Sequence, residues 1–443
     1  MRDPIRPYPP TLQEALENGP FTPFQARCVA IAVLAVVLDG FDIQVLGVAM
    51  PALMKGWGLD KAAFVPVIAL GLLAMSIGTA LSGWLGDRIG RRPCLIGAMV
   101  IFGLGTLAAA QTTGLPGFFV ARVLASLGLG GAVPVAVAML AEFTPRRHRG
   151  LAVTAGMICT PLGGLLAGLV AAWVLPGHGW PALFVVGGAL PLVLALVLVL
   201  GLPESPAFLV AKGRQGDLAR LAGRLGATVG VMARAGGRAK SQFSALFGGG
   251  LTGTTLLVWG LFLGGLTAAY TAFNWLPTLL VRTGHAMATG SLALAAFNFG
   301  GILGTVVGAL VIGRLGSRLV ITSYALAGVA AAGASVAVLA HTQQAGLIEA
   351  AMAVTGFCIV GVQTMLFALA SHAYPDHLRA TGVGAALGVG RLGALASSAI
   401  GAVLVGQGNL GFFGFLSGLM AVVSVFLLLL GPHIPPLRQG ETA

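Results

Sequence analysis

Apolar residues fall along this chain in long, nearly unbroken runs, and polar residues gather in the short stretches between them. Crossing a hydrocarbon core of about 30 Å takes about 20 apolar helical residues. Twelve runs meet that length, near 27–49, 62–85, 93–112, 116–141, 150–175, 180–201, 252–280, 289–313, 319–340, 345–371, 380–405 and 409–431. One long polar segment, 203–250, splits them into six and six. The pattern predicts an all-α membrane protein with twelve transmembrane helices in two six-helix halves. Its parts are an N-terminal segment over 1–26, a first half over 27–201, a central segment over 202–251, a second half over 252–431 and a tail over 432–443. Such a layout suits two similar halves that rock about a central site.

Composition agrees with the pattern. Hydrophobic residues make up 57% of the 443 and charged residues only 9%, against about a quarter charged in soluble domains. That excludes a disordered chain, a secreted disulfide scaffold and an ordinary cytosolic enzyme. The 68 glycines show no Gly-X-Y period and read instead as places where membrane helices approach closely. The net charge of +12 would point to nucleic acid in a soluble domain, but its distribution points elsewhere. With the N-terminus inside, 20 of the 25 Lys and Arg fall on inner segments; Lys55, Lys61 and Arg282 fall on outer loops, and Arg122 and Arg391 fall within helices. This asymmetry places both termini in the cytoplasm and accounts for the charge without a nucleic-acid partner. Cys28, Cys94, Cys159 and Cys358 are scattered, with no CxxC, so neither a disulfide framework nor a metal site is expected. No HExxH, GxSxG or paired Cys/His set occurs and no cleavable signal peptide is evident. Neither catalysis nor a cofactor is expected.

Between the second and third runs stands Gly83-Trp84-Leu85-Gly86-Asp87-Arg88-Ile89-Gly90-Arg91-Arg92. It resembles the cytoplasmic loop signature of the major facilitator superfamily, G-x-x-x-D-R-x-G-R-R. Glycines permit the tight turn, and Asp87 can meet a helix N-terminus or a neighbouring Arg to latch the inner side. A plain basic turn would need neither Asp87 nor the glycine spacing. The second half carries a decayed copy over 308–318, with Gly313 where the Asp would stand, which supports an internal repeat. Asp87, Arg88 and Arg91, with Glu142, Arg149 and Arg379 at other inner helix ends, are the candidate gating residues; the lesser alternative for Glu142 is a plain end-of-helix acid.

Charges within the runs are few, and each is costly in a membrane, by about 2.5 kcal/mol or more. Asp39 and Asp42 lie three apart in the first run and so share a helix face. Two carboxyls side by side in a low-dielectric site repel, so one of them readily holds a proton. Arg122 in the fourth run lies at a similar depth to Asp42, and a charge-assisted pair between them is expected. Arg391 in the eleventh run lies near the midplane, level with Asp39 and in the opposite half. It suits a carboxylate substrate, or else serves Asp39 as a structural partner. These four are the candidates for proton coupling and substrate binding. Gln44, Tyr270, Phe273, Asn274, Trp275, Phe297, Asn298 and Gln363 are candidate cleft-lining groups; for each, packing or an interfacial place is the alternative.

Asp39-Gly40-Phe41-Asp42, with Gly47 and Pro51 following, resembles the first-helix signature of the aromatic acid:proton symporter family. Arg122 before Gly128–Pro134, Glu142 with Arg149, Leu202-Pro203-Glu204-Ser205-Pro206, Trp275-Leu276-Pro277, Arg379 and Arg391 agree with it, so the resemblance spans essentially the whole chain. It implies a twelve-helix symporter of the bacterial inner membrane, functional as a monomer, which imports a small aromatic carboxylate such as a hydroxybenzoate or protocatechuate with protons as the coupling ion. It assigns functional acids to Asp39, Asp42, Asp87 and Glu142 and functional arginines to Arg122, Arg379 and Arg391. Val135, Pro181 and Gly313 depart from the family pattern, where Asn, Arg and Asp are usual. The alternative is a proton-coupled exporter of drugs or other organic ions on the same fold. A transporter-like sensor would need an appended signalling domain, for which 203–250 is too short.

Overall fold

The computed structural model describes residues 11–229, 243–375 and 378–436, apart from the side chains of residues 149–155, 157 and 380. Among them the chain is helical throughout. A short α1 (Leu12–Glu17) precedes α2 (Pro23–Trp57), α3 (Val65–Ile89), α4 (Arg91–Ala110), α5 (Leu115–Phe143) and α6 (Arg149–Gly201). Short helices α7 (Pro206–Ala211) and α8 (Gln215–Arg224) lie in the central segment. Then follow α9 (Thr252–Arg282), α10 (Met287–Leu315), α11 (Ser317–His341), α12 (Ala345–Ala373), α13 (Arg379–Gly406) and α14 (Gly408–Leu429).

Eleven of these helices are long and apolar enough to cross a membrane, and α6 crosses twice. Its backbone breaks at Gly179, where φ is +72°, a conformation that Gly adopts without a Cβ penalty. Pro176 and Pro181 flank the break. The runs 150–175 and 180–201 are therefore two crossings joined almost without a loop, and the total is twelve. The helices extend past the apolar runs at several ends because polar flanks continue the same backbone geometry. The central segment also departs from a simple loop. Leu218, Leu221 and Ala222 of α8 pack with Leu12 and Leu16 of α1, and the Leu12 N–H donates to the Thr228 carbonyl at 2.8 Å. This face, with α1, α7, α8 and the segment that follows α14, is the terminal face below; the other is the far face.

Helices α2–α6 pack on one another, as do α9–α14. Toward the far face the apolar core runs continuously across the halves, joining Val45, Met50, Phe64 and Phe118 to Trp275, Leu279, Leu294 and Phe297. Toward the terminal face the first half has a core of its own, which includes Cys28, Phe102, Leu129 and Leu198.

Glycines set how closely the helices meet. On α6, a Cβ at Gly163 would strike the backbone of Val37 and Phe41 of α2, and one at Gly168 would strike Ser291 and Ala295 of α10. On α2, a Cβ at Gly47 would strike the backbone of Phe273 and Asn274 of α9. The last two approaches cross between the halves, and both lie toward the far face.

Gly163→Leu is expected to force α2 and α6 apart and to cost about 1–3 kcal/mol, the usual penalty of overpacking. Gly97→Ala, where a Cβ meets nothing within 4 Å, is the control. Thermal unfolding in detergent should separate the two; equal melting temperatures would show that the seam tolerates a side chain.

Candidate functional site

The α2 helix carries Asp39 and Asp42 through the middle of the bundle, both buried. Arg122 of α5 donates to both oxygens of Asp42, Nη1 to Oδ1 and Nη2 to Oδ2, each at 2.8 Å. The fork is shut away from solvent, with the guanidinium 5.7 Å from the centre of the Phe184 ring. A parallel two-bond pair is the strong form of Arg–carboxylate contact, so Arg122 and Asp42 form a neutral unit.

Asp39 is arranged differently. Its Oδ1 is buried with no hydrogen-bond partner. The charged groups that face it are the Asp42 carboxylate and the Arg391 guanidinium of α13. Arg391 is only half-buried, and its Nη1 reaches the Thr79 hydroxyl of α3 at 3.5 Å. That hydroxyl in turn donates to the Met75 or Gly130 carbonyl, each 3.0 Å away. Tyr270 of α9 lies near both Asp39 and Arg391. Tyr270 and Asn274 also line a small cavity between the halves, together with Asp42, Arg122, Met75 and Ser126. One acid and one arginine are thus bound to each other, while the second acid and second arginine are neighbours with hydrogen-bonding capacity in hand.

Other residues expected to line a cleft are placed otherwise. Gln44 and Asn298 are fully buried and bonded to each other across the halves. Gln44 Nε2 donates to Asn298 Oδ1 at 3.0 Å, and Asn298 Nδ2 donates to Gln44 Oε1 at 2.6 Å. They tie α2 to α10 instead of facing open space, because a buried amide must find partners and each supplies what the other lacks. Trp275 is buried against Gly401 of α13, and Phe297 packs edge-on to Phe273 with ring centres 6.0 Å apart. Gln363 of α12 is also buried, but its amide lies over Gly265 of α9 with neither end bonded.

At the terminal face Arg91 pairs with Glu142, whose other oxygen accepts from the Ser205 hydroxyl at 2.6 Å. The N-terminus of α4 faces Glu204: its Oε1 accepts from the backbone N–H groups of Arg91 and Arg92 at 2.9 and 3.0 Å. A carboxylate there meets unsatisfied donors and the positive end of the helix dipole. Asp87 is exposed at the end of α3. Arg88 stacks on the Trp84 ring at 4.0 Å, and Arg379 donates through Nε to the Ser371 carbonyl at 2.8 Å. The Arg149 side chain lies outside the described residues. The second half repeats the plan with neutral groups. The N-terminus of α11 meets the segment after α14: the Ser317 N–H donates to the Ile434 carbonyl at 2.9 Å, and the Ile434 N–H donates to Ser317 Oγ at 2.8 Å. His433, beside Ser317, has its pKa lowered chiefly by burial, which disfavours the imidazolium.

Thr79, Glu204 and Ser205 join the site only through their contacts in the fold. An acid between two prolines in a mainly basic segment is the available signal for Glu204. Nothing in the sequence marks Thr79.

Residues 32–398 match the family model described as Major Facilitator Superfamily. The 4-hydroxybenzoate transporter PcaK of Pseudomonas aeruginosa is 38% identical over 409 residues, covering 90% of each chain. The gallate transporter of Pseudomonas putida is 34% identical over 433 residues, covering 96% of each. Among solved structures, the partially occluded inward open conformation of the xylose transporter XylE from E. coli superposes with a TM-score of 0.72 at 17% identity, covering 95% of this chain and 100% of that one.

Two outcomes follow from the geometry. Arg122→Met leaves the Asp42 carboxylate buried and unpaired and is expected to cost about 3–5 kcal/mol, whereas the double variant Asp42→Asn/Arg122→Met recovers much of it. Unfolding in mixed micelles reads both, and an additive double variant would show that the pair has no mutual dependence. Asn298→Ala cuts the amide tie between the halves. A cysteine introduced by Ser291→Cys, at a buried position on the seam, should then react faster with a membrane-impermeant maleimide; an unchanged rate would mean that the tie does not hold the far face shut.

Proposed function

The chain belongs to the Major Facilitator Superfamily, and we propose that it imports an aromatic carboxylate together with protons across a bacterial inner membrane by alternating access. It is a multi-pass membrane transporter and not an enzyme. The relatives named for 4-hydroxybenzoate and gallate support a hydroxylated aromatic acid as cargo. The bias of basic residues toward the terminal face supports a cytoplasmic placement of that face. On that placement the far face, shut in this state by the continuous core and the Gln44–Asn298 tie, is periplasmic.

The observation that carries the reading is the difference between the two acids. Asp42 is neutralised by Arg122, so the exchangeable charges are Asp39 and Arg391. In the empty transporter ionised Asp39 balances Arg391. When substrate arrives, its carboxylate takes Arg391 through the planar fork that suits it, and Asp39 takes a proton. Both states are neutral overall. A state with substrate and no proton, or proton and no substrate, buries an uncompensated charge, which is costly in low dielectric. Reorientation is thereby favoured for the empty and the doubly loaded forms, and this links the two flows. Tyr270, near both groups and lining the small cavity, offers an aromatic surface there. The terminal-face contacts of Arg91, Glu142, Ser205 and Glu204 hold α4, α5 and the central segment together as the first half moves as a body.

The test is uptake of labelled 4-hydroxybenzoate, protocatechuate, vanillate and benzoate into proteoliposomes under an inward proton gradient. Wild type should accumulate at least one acid and lose it when the gradient is collapsed. Asp39→Asn should still exchange substrate across the membrane but should not accumulate it, because the neutral amide mimics the protonated acid permanently. Gradient-driven accumulation by Asp39→Asn equal to wild type would remove Asp39 from coupling, and extrusion of the acids on the same gradient would favour the exporter.

A further inference from the structure

We propose that Gln363 is the specificity-determining residue that reads a ring hydroxyl of the substrate, an inference that rests on the aromatic-carboxylate reading above. Gln363 sits in α12, nine residues after Val354. At about 100° per residue that is two and a half turns, so the two side chains leave the helix on opposite faces. Val354 is exposed and lines an apolar groove between α11 and α12 with Ala331, Ala334, Val338 and Leu347. Gln363 therefore points into the bundle. There its amide lies over Gly265 of α9, where a Cβ would run into Oε1. The side chain is buried, and neither Oε1 nor Nε2 has a hydrogen-bond partner.

The other amides near the bundle centre are engaged. Gln44 and Asn298 bond each other, and Asn274 donates to the Tyr270 carbonyl at 3.0 Å. Gln363 alone among the described residues keeps both ends of a buried amide unmet. Leu or Met would fill the same volume without that penalty, so packing alone does not account for the amide. Gln363 lies ten residues from Ala373 and Arg391 lies twelve from Arg379, both counted from the terminal face. At about 1.5 Å per residue they occupy similar depths. The α12 and α13 helices that carry them are in contact, so a flat acid held by its carboxylate at Arg391 can present a ring substituent to Gln363. A phenolic hydroxyl is both donor and acceptor, and a primary amide answers both. A site built this way rejects the analogue that lacks the hydroxyl, because the amide is then left buried and unpaired.

Binding is measured first, by isothermal titration of the detergent-purified protein with 4-hydroxybenzoate and benzoate, which needs no gradient. KM values for both acids then follow in proteoliposomes. Wild type should favour 4-hydroxybenzoate. Gln363→Leu should weaken 4-hydroxybenzoate about tenfold or more while shifting benzoate less than about twofold, and so abolish the preference. Gln363→Met, close in volume, keeps the test available if the Leu variant unfolds. Equal weakening of both acids, an unchanged preference in both variants, or a wild type with no preference would each overturn the assignment. Hydroxyl-selective binding lost in the variants, but without proton-driven uptake in wild type, would uphold Gln363 and sink the coupling reading instead.

Discussion

The Asp42–Arg122 fork is the contact on which the centre of this molecule depends. A low-dielectric interior tolerates charge only in balanced sets, and two acids with two arginines can be balanced in more than one way. By binding Arg122 through both its oxygens, Asp42 removes one acid and one arginine from play and leaves Asp39 and Arg391 as a second, looser set. The asymmetry is geometric. Arg122 meets Asp42 within one half, whereas Arg391 comes from the other half and reaches Thr79 at only 3.5 Å. A pair inside a rigid body persists when the body moves; a relation between bodies does not. The same four charges thus form one tight pair within a half and one loose set between the halves.

How the halves meet is decided by small residues more than by charge. Gly47 and Gly168 let the backbones of α2 and α6 press against α9 and α10, and the Gln44–Asn298 amides close over the same seam. Without a hydrophobic driving force between helices in lipid, close packing and interhelical hydrogen bonds supply the attraction. Each such contact is modest, so the far face is held by several weak contacts and not by one strong one.

The terminal face shows the internal repeat most plainly. In each half the segment that follows the last helix returns to the N-terminus of that half's third helix, where the backbone turns at a glycine with positive φ, Gly90 or Gly316. In the first half the free donors of α4 meet the Glu204 carboxylate; in the second those of α11 meet the Ile434 carbonyl. The loop copy that lacks its Asp at Gly313 therefore keeps the junction through neutral groups. A helix N-terminus needs an acceptor, not a particular acceptor, which is why the motif can decay while the architecture persists.

Hydropathy determined the crossings: twelve apolar runs, split six and six, already contain the fold class, since each residue's preference for lipid is a local property. The signature around Asp87 and the paired acids at Asp39 and Asp42 were legible for a related reason, as charge inside an apolar run stands out wherever it occurs. Tertiary structure decided who partners whom. Gln44 and Asn298 are 254 residues apart, and either could have faced a cleft; only the packing of α2 on α10 makes them each other's partner. Depth along separate helices made the Asp42–Arg122 pair a reasonable expectation, but not its two-bond form. Glu204 at the α4 N-terminus, Thr79 beside Arg391, and an amide at Gln363 left with nothing to bond all depend on how helices rotate and lean against one another. Rotation and tilt are set by contacts summed over both partners, and a single chain read residue by residue does not carry that sum.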